Sequence, residues 1–291
     1  MRLDRKVISV DESLSPRIGT EQRQPTSVQA ITWLALLVLL ALRVPLTDVD
    51  SIVGRVFGPG PIPVWGQAAM ALHAALYYAY IHFRLPIVGA VIVAHRRRLR
   101  DMNIDYCFLI LFAWASIANW RSQPAALGWA IALLGISIPL LALWDHFALR
   151  QQVRANLALI IAIPLGFLAL LFVLRESLDP KMLASAFHWL VLDNPPTAVV
   201  EEFTFRGLLW MVLKNLDWGD KRIVLAQAAI FWAAHSVYLF ADPIAFWVVV
   251  PLLSVIMGMV VWKTKSIAVS GVAHICVNAA WSLLSYIGPQ L

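Results

Sequence analysis

Nine apolar runs, at about 28–46, 64–94, 104–120, 125–144, 155–174, 197–213, 222–240, 243–262 and 266–287, follow one another with little chain between them. Crossing the hydrocarbon layer of a bilayer takes roughly 20 mostly apolar residues in a helix. Inside that layer the backbone must satisfy its own hydrogen bonds, which for runs of this length means helices. The pattern predicts an all-α fold, a polytopic transmembrane helical bundle of about eight to nine spans. Composition agrees: of 291 residues, 60% are apolar and 14% charged, against about 25% charged in an ordinary soluble domain. A core bounded by water could not cover that much apolar surface.

The segments between the runs refine the picture. The second run is overlong and contains Arg84 and Pro86, so it predicts a kinked helix or a span joined to an interfacial piece. The stretch 182–192 is too short to span and reads as an interfacial helix. The Gly/Pro-rich stretch 57–63 and Asp193-Asn194-Pro195-Pro196 read as loops. Proline at the latter position suits a helix start, because the first turn does not use its N–H. Three regions result: a polar N-terminal tail over 1–27, N-terminal transmembrane helices over 28–190, and a C-terminal helical region over 191–291. The first run follows a long polar stretch and is itself long enough to span, so it reads as a retained anchor and not a cleavable signal.

The net charge is +6, but the basic residues sit in short segments between apolar runs. That distribution marks cytoplasmic loops, not a nucleic-acid face, and no nucleic-acid partner is expected. The clearest case is His95-Arg96-Arg97-Arg98-Leu99-Arg100. With nine spans, this loop falls on one side together with Arg150, Arg154, Lys214, Lys221, Arg222, Lys263 and Lys265, and that side is predicted to be cytoplasmic. The expected location is a bacterial-type plasma (inner) membrane. Cys107 and Cys276 both lie inside apolar runs and read as small core residues.

Charged groups inside a span are costly, about 2.5–3.5 kcal/mol each at the helix centre even on a lenient scale. The run at 197–213 nevertheless contains Glu201-Glu202-Phe203-Thr204-Phe205-Arg206. Glu202 and Arg206 are four apart with the acid first, the favoured order for a helical ion pair. Adjacent helical residues point about 100° apart, so Glu201 faces something else. Two later runs supply partners. Phe231 and His235 share one helical face, and so do His274 and Asn278. If the helices at 197–213 and 222–240 run antiparallel, Glu201 and His235 come to similar depth, with Gly271, Ala273, Ala233 and Ala234 permitting close approach. One intramembrane histidine is ordinarily a hydrogen-bonded core residue, and His73, His82, His146 and His188 are read so. A carboxylate, two imidazoles and a carboxamide on three neighbouring helices are instead the kit for activating water and stabilising an oxyanion.

EEFTFR at 201–206, FWAAH at 231–235 and HICVN at 274–278 resemble, in order, the EExxxR, FxxxH and HxxxN motifs of the CPBP family of intramembrane endopeptidases (CAAX protease and bacteriocin-processing, Abi-like). Gly258 and Lys265-Ser266-Ile267 resemble the pattern ahead of the third motif. The resemblance spans about residues 196–280. It implies hydrolysis of a peptide bond in a membrane-anchored or lipidated protein or peptide, within or beside the bilayer. It further implies Glu201 as the general base, Glu202 and Arg206 as a supporting pair, His235 positioning the water, and His274 with Asn278 forming the oxyanion site. No cofactor is favoured. Zinc is the alternative, since the family has also been described as metallopeptidase and Glu201, His235 and His274 are ligand types for a three-ligand site. The chain lacks HExxH, and Asn278 suits an oxyanion better than zinc. The competing readings are a proton-coupled transporter, which also uses intramembrane Glu and His, and a catalytically silent membrane scaffold.

Overall fold

The computed structural model describes residues 26–43, 62–144, 153–174, 178–236 and 238–287. The polar tail to residue 25, most of the loop at 57–63, His146 and Arg150 lie outside the described residues. Among the described residues every regular element is helical, and each of the nine apolar runs is found as helix. The N-terminal part comprises α1 (Thr26–Arg43), α2 (Val64–Ala94), α3 (Tyr106–Ala118), α4 (Ala125–Trp144) and α5 (Val153–Leu174). The C-terminal part comprises α6 (Pro180–His188), α7 (Asn194–Glu202), α8 (Leu209–Asn215), α9 (Asp220–Ala233), α10 (Tyr238–Ala241), α11 (Val250–Thr264) and α12 (Ile267–Ile287).

Four helices are long and apolar enough to cross a membrane: Val64–Ala94, Asn156–Leu174, Ala245–Thr264 and Ile267–Leu284. A fifth is added if the 3-10 turn Arg96–Met102 and α3, bent by 101°, form one span. The chain is therefore an integral membrane protein, with fewer helices of spanning length among the described residues than the eight to nine expected. In α1 and α4 the apolar stretches whose side chains are described are Gln29–Ala41 and Ala125–Leu141. The motif run carries Glu201, Glu202 and Arg206, and α9 stops at Ala233.

The expected loop at Asp193-Asn194-Pro195-Pro196 is not a loop. From Pro180 to Asn215 the backbone stays helical, widened to π geometry at Trp189–Asp193 and again at Phe203–Leu208. Two prolines would cost a regular helix two hydrogen bonds. The π turn just ahead of them already departs from the regular bonding pattern, so Pro195 and Pro196 enter near the start of α7. The stretch at 182–192 is likewise the opening of this run, started by Asp179, whose carboxylate accepts from the Lys181 N–H at 2.7 Å, and by Pro180.

The overlong second run is one helix of 31 residues with Pro86 inside it, about 46 Å at 1.5 Å per residue. Its first half presents Trp65, Leu72 and Tyr78 outward, while Tyr80, Arg84, Val88 and Ile92 are buried. At the centre of the bundle α7 packs against α2, α3 and α12, while α9 pairs with α11 and α12 also leans on α5. Two glycines allow the closest approaches. A Cβ on Gly258 would collide with the Gln227 amide of α9, and one on Gly271 would lie 2.9 Å from Leu111 of α3. Ala233, by contrast, is exposed.

One end of the bundle gathers the basic loops. Asp220 bridges Lys214 at 2.5 Å and Lys265 at 3.2 Å. The backbone N–H of Ile267 donates to Asn103 O at 3.0 Å, tying the α11–α12 turn to the Arg96–Met102 segment. Asn156 at the start of α5 donates to Asp105. Asn103, in the left-handed region at φ 54, also donates to Arg206 O at 3.3 Å, which helps satisfy a carbonyl of the second π segment.

Candidate active site

Glu201 and Glu202 end α7, and Arg206 lies in the π segment that follows. Glu202 and Arg206 are fully buried. Arg206 Nη1 donates to Glu202 Oε1 at 3.2 Å, Nη2 donates to Ser254 O at 3.4 Å, and the guanidinium lies 4.2 Å from the Phe231 ring centroid. The expected i,i+4 pair is present, and it is part of something larger. His274 Nδ1 lies 2.9 Å from Glu202 Oε1, and the Ser270 hydroxyl donates to Glu202 Oε2. Glu202 is thus the hub of the polar cluster, holding one cation, one imidazole and one hydroxyl. A buried carboxylate is tolerated only with such a full set of partners.

The two histidines are oriented from behind. A carboxylate accepts only, so His274 Nδ1–H donates to Glu202 and Nε2 points the other way. That Nε2 lies 3.5 Å from Glu201 Oε2. His235 Nδ1 donates to the Phe231 carbonyl at 2.7 Å, leaving its Nε2 3.9 Å from the same Glu201 oxygen. Phe231 packs against the rings of both His235 and His274, at 4.2 and 5.9 Å between centroids. His235 does not sit within a helix, as expected from the run 222–240. Helix α9 ends at Ala233, and His235 occupies the tight turn that leads to α10.

An open cleft of about 580 Å³ adjoins these groups, lined on its polar side by Arg206, His235, His274 and Asn278 and elsewhere by Tyr238, Val249, Leu253, Met257 and Trp281. Glu201 is not part of the lining; its carboxylate lies against the two imidazoles that are. Asn278 is partly exposed, one turn beyond His274. Among the described residues its carboxamide makes no hydrogen bond within the protein.

All six residues singled out from the sequence come to one place. The sequence missed Ser270, Ser254 and Gln227. Ser270 carried a readable signal, since Ser270, His274 and Asn278 recur every four residues on one helical face. Ser254 and Gln227 carried none, because they act through a backbone carbonyl: Gln227 donates to Ser254 O at 3.1 Å and Ser254 Oγ to Ala228 O at 3.2 Å. Among the described residues no group of three or more His, Cys, Asp or Glu side chains is arranged to hold a metal ion. Four of the other five histidines fall within the described residues. His82 bonds Gln123, and His188 lies 3.2 Å from Asp193.

A family model described as type II CAAX prenyl endopeptidase Rce1-like matches residues 183–280. This interval encloses α7, α9, α11 and most of α12, and with them all three motifs. No characterised protein and no solved structure matches the chain. Over residues 183–280, the chain is similar to the CAAX-type membrane protease family whose motifs it also resembles.

Proposed function

We propose that this protein is an intramembrane endopeptidase that hydrolyses a peptide bond in a membrane-anchored or lipidated substrate, in a bacterial-type plasma membrane. The observation that carries the reading is the convergence of His235 Nε2 and His274 Nε2 on Glu201 Oε2, at 3.9 and 3.5 Å, beside a cleft that also holds Asn278.

The chemistry follows from what each atom can do. With its Nδ1–H engaged, neutral His235 offers only a lone pair at Nε2, and ionised Glu201 offers only lone pairs. A water beside both is held by donating one O–H to each. Glu201 takes a proton from that water as its oxygen attacks the scissile carbonyl. The oxyanion that forms is met by the Asn278 amide and by His274 in the form that carries a proton on both nitrogens, with Nδ1–H kept on Glu202 and Nε2–H free to donate. Glu201 then returns the proton to the departing nitrogen, so the C–N bond breaks and the proton count closes. Glu202, Arg206 and Ser270 keep His274 in place without touching the substrate. The apolar cleft walls fit a substrate that is itself membrane-embedded. No step is routed through zinc; Glu201, His235 and His274 are the residues that would hold it, as a Lewis acid for the water.

The test is hydrolysis with isotopic water. Purified protein in nanodiscs, given a membrane-anchored peptide in ¹⁸O-labelled water, is expected to release a fragment whose new C-terminus carries one ¹⁸O atom. Failure to cleave any such peptide, together with proton flux into protein-loaded vesicles, would instead support a transporter.

A further inference from the structure

A cavity of about 530 Å³ lies between α1 and α8 and shares no lining residue with the catalytic cleft. Gln29, Thr32 and Trp33 line it from α1, and Val212, Asn215 and Leu216 from α8 and the turn that follows. Two amides, a hydroxyl and an indole N–H thus face it beside two aliphatic side chains. The cavity lies at the basic end of the bundle. His95 Nδ1 is 3.0 Å from Val91 O, which only accepts, so that nitrogen carries the proton and Nε2 accepts from the Thr32 hydroxyl at 2.8 Å. His95 opens the basic segment, whose Arg96, Arg97 and Arg100 are exposed, and that segment also packs against α8. Lys214 adjoins Asn215. Of the acids at this end, Asp101 is held by Arg98 at 2.5 Å and Asp220 by Lys214 and Lys265, while Asp217 is exposed beyond α8. Positive charge therefore predominates around a cavity rich in hydrogen-bond donors.

An apolar track continues from the cavity along α1. Trp33 and Leu37 stand one turn apart on one face and are 47% and 60% exposed, with Leu34 beside them at 63%. Tryptophan favours the headgroup level of a bilayer. A donor-lined cavity in a basic setting, followed by an apolar track, matches an amphiphile with a phosphate at its head. Basic pockets between membrane helices bind such headgroups.

We propose that the seam between α1 and α8 binds one anionic phospholipid, with its phosphodiester in the cavity beside Gln29, Thr32 and Asn215 and an acyl chain along Trp33 and Leu37. The bound lipid also activates the enzyme. Helix α8 follows directly on the π segment that carries Arg206, and α1 packs against both. An occupant that joins α1 to α8 steadies the helical run whose Arg206 holds Glu202 and, through Glu202, His274. The activating effect rests on the endopeptidase reading; the binding does not. A free phosphate ion offers the same head chemistry without the chain, and the apolar track favours the lipid.

The experiment uses the full chain in nanodiscs of phosphatidylcholine, with or without phosphatidylglycerol as a minor component. Native mass spectrometry counts the lipid each chain retains, and Tm is measured in both nanodiscs. Wild type is expected to retain one phosphatidylglycerol over phosphatidylcholine by roughly tenfold, the worth of one charge-assisted hydrogen bond. It should also melt higher with phosphatidylglycerol, since a ligand of the folded state stabilises it. Asn215→Asp is nearly isosteric at an exposed position and sets a carboxylate against the phosphate. It should cancel the preference and the Tm gain, whereas Asn215→Lys should increase both. Cleavage of a membrane-anchored peptide should rise with phosphatidylglycerol in wild type and not in Asn215→Asp. A preference untouched by both substitutions overturns the site, and equal retention of the two lipids by wild type overturns the anionic headgroup. A Tm gain from inorganic phosphate in detergent that matches the gain from phosphatidylglycerol overturns the lipid in favour of a free anion. Retention that depends on Asn215, with cleavage unchanged, overturns the activating role. The same retention with no peptide cleaved at all supports the lipid site and counts against the endopeptidase reading alone.

Discussion

At the scale of single residues, the site rests on a fully buried charge pair whose members were legible in the sequence and whose further partners were not. The spacing of Glu202 and Arg206 gave the ion pair, because i,i+4 geometry is local. That Glu202 also holds His274 and Ser270 depends on how closely α12 meets α7, which no local pattern encodes. Arg206→Ala leaves a buried carboxylate short of its cation, which typically costs about 3–5 kcal/mol. The variant is expected to unfold at clearly lower temperature in detergent. An inactive variant as thermostable as wild type would mean that Arg206 contacts substrate instead. Metal content is a second test at this scale. Purified active protein is expected to hold no stoichiometric zinc and to survive strong chelation. One zinc per chain, with activity restored only by metal, would reassign Glu201, His235 and His274 as ligands.

At the scale of elements, each of the nine apolar runs falls on helix, but the runs did not give the helices' lengths or bends. The Asp193-Asn194-Pro195-Pro196 stretch has the composition of a loop, yet it continues a helix because the π segment at Trp189–Asp193 precedes the prolines. π turns have no sequence signature of the kind that Gly or Pro gives a loop. The ends of α8, α9 and α11 are tied by Asp220, whose environment sets a pH dependence. Partial burial alone would raise its carboxyl, but the bonds from Lys214 and Lys265 outweigh this and hold it below the usual carboxylate range. A depressed folded value means stability present above the ordinary aspartate value and lost as pH falls through the folded one. Both lysines are exposed, so the contribution is small and weakened by salt, within about 1 kcal/mol. Asp220→Asn should lower the Tm slightly at neutral pH, and the difference should shrink both in acid and at high salt. A difference that holds constant from pH 7 to pH 3 would show that this carboxylate's ionisation does not matter.

At the scale of the whole molecule, charge and depth combine. The Arg96–Met102 segment, Lys214, Asp220 and Lys265 share one end of the bundle, as the basic loops required. Along the continuous helix from 180 to 215, Glu201 lies about 20 Å from Lys214 and about 12 Å from Asp193 at ~1.5 Å per residue. If the basic end is cytoplasmic, the site is expected to open toward the other face and to take substrates with an exposed outer segment. Single cysteines at Asp193 and Trp218, in a Cys107/Cys276-free background, read this out in intact cells with an impermeant maleimide. Labelling at Asp193 alone is expected; labelling at Trp218 alone reverses the orientation and favours a cytoplasmic substrate.

The central claim is that Glu201 performs hydrolysis, and Glu201→Gln tests it most directly. Glutamine keeps the shape of the side chain but cannot take a proton from water. In nanodiscs, at matched Tm, cleavage of a membrane-anchored peptide is expected to fall by at least roughly a hundredfold, the scale on which general bases contribute. Cleavage at near-wild-type rate by the folded variant would contradict the assignment.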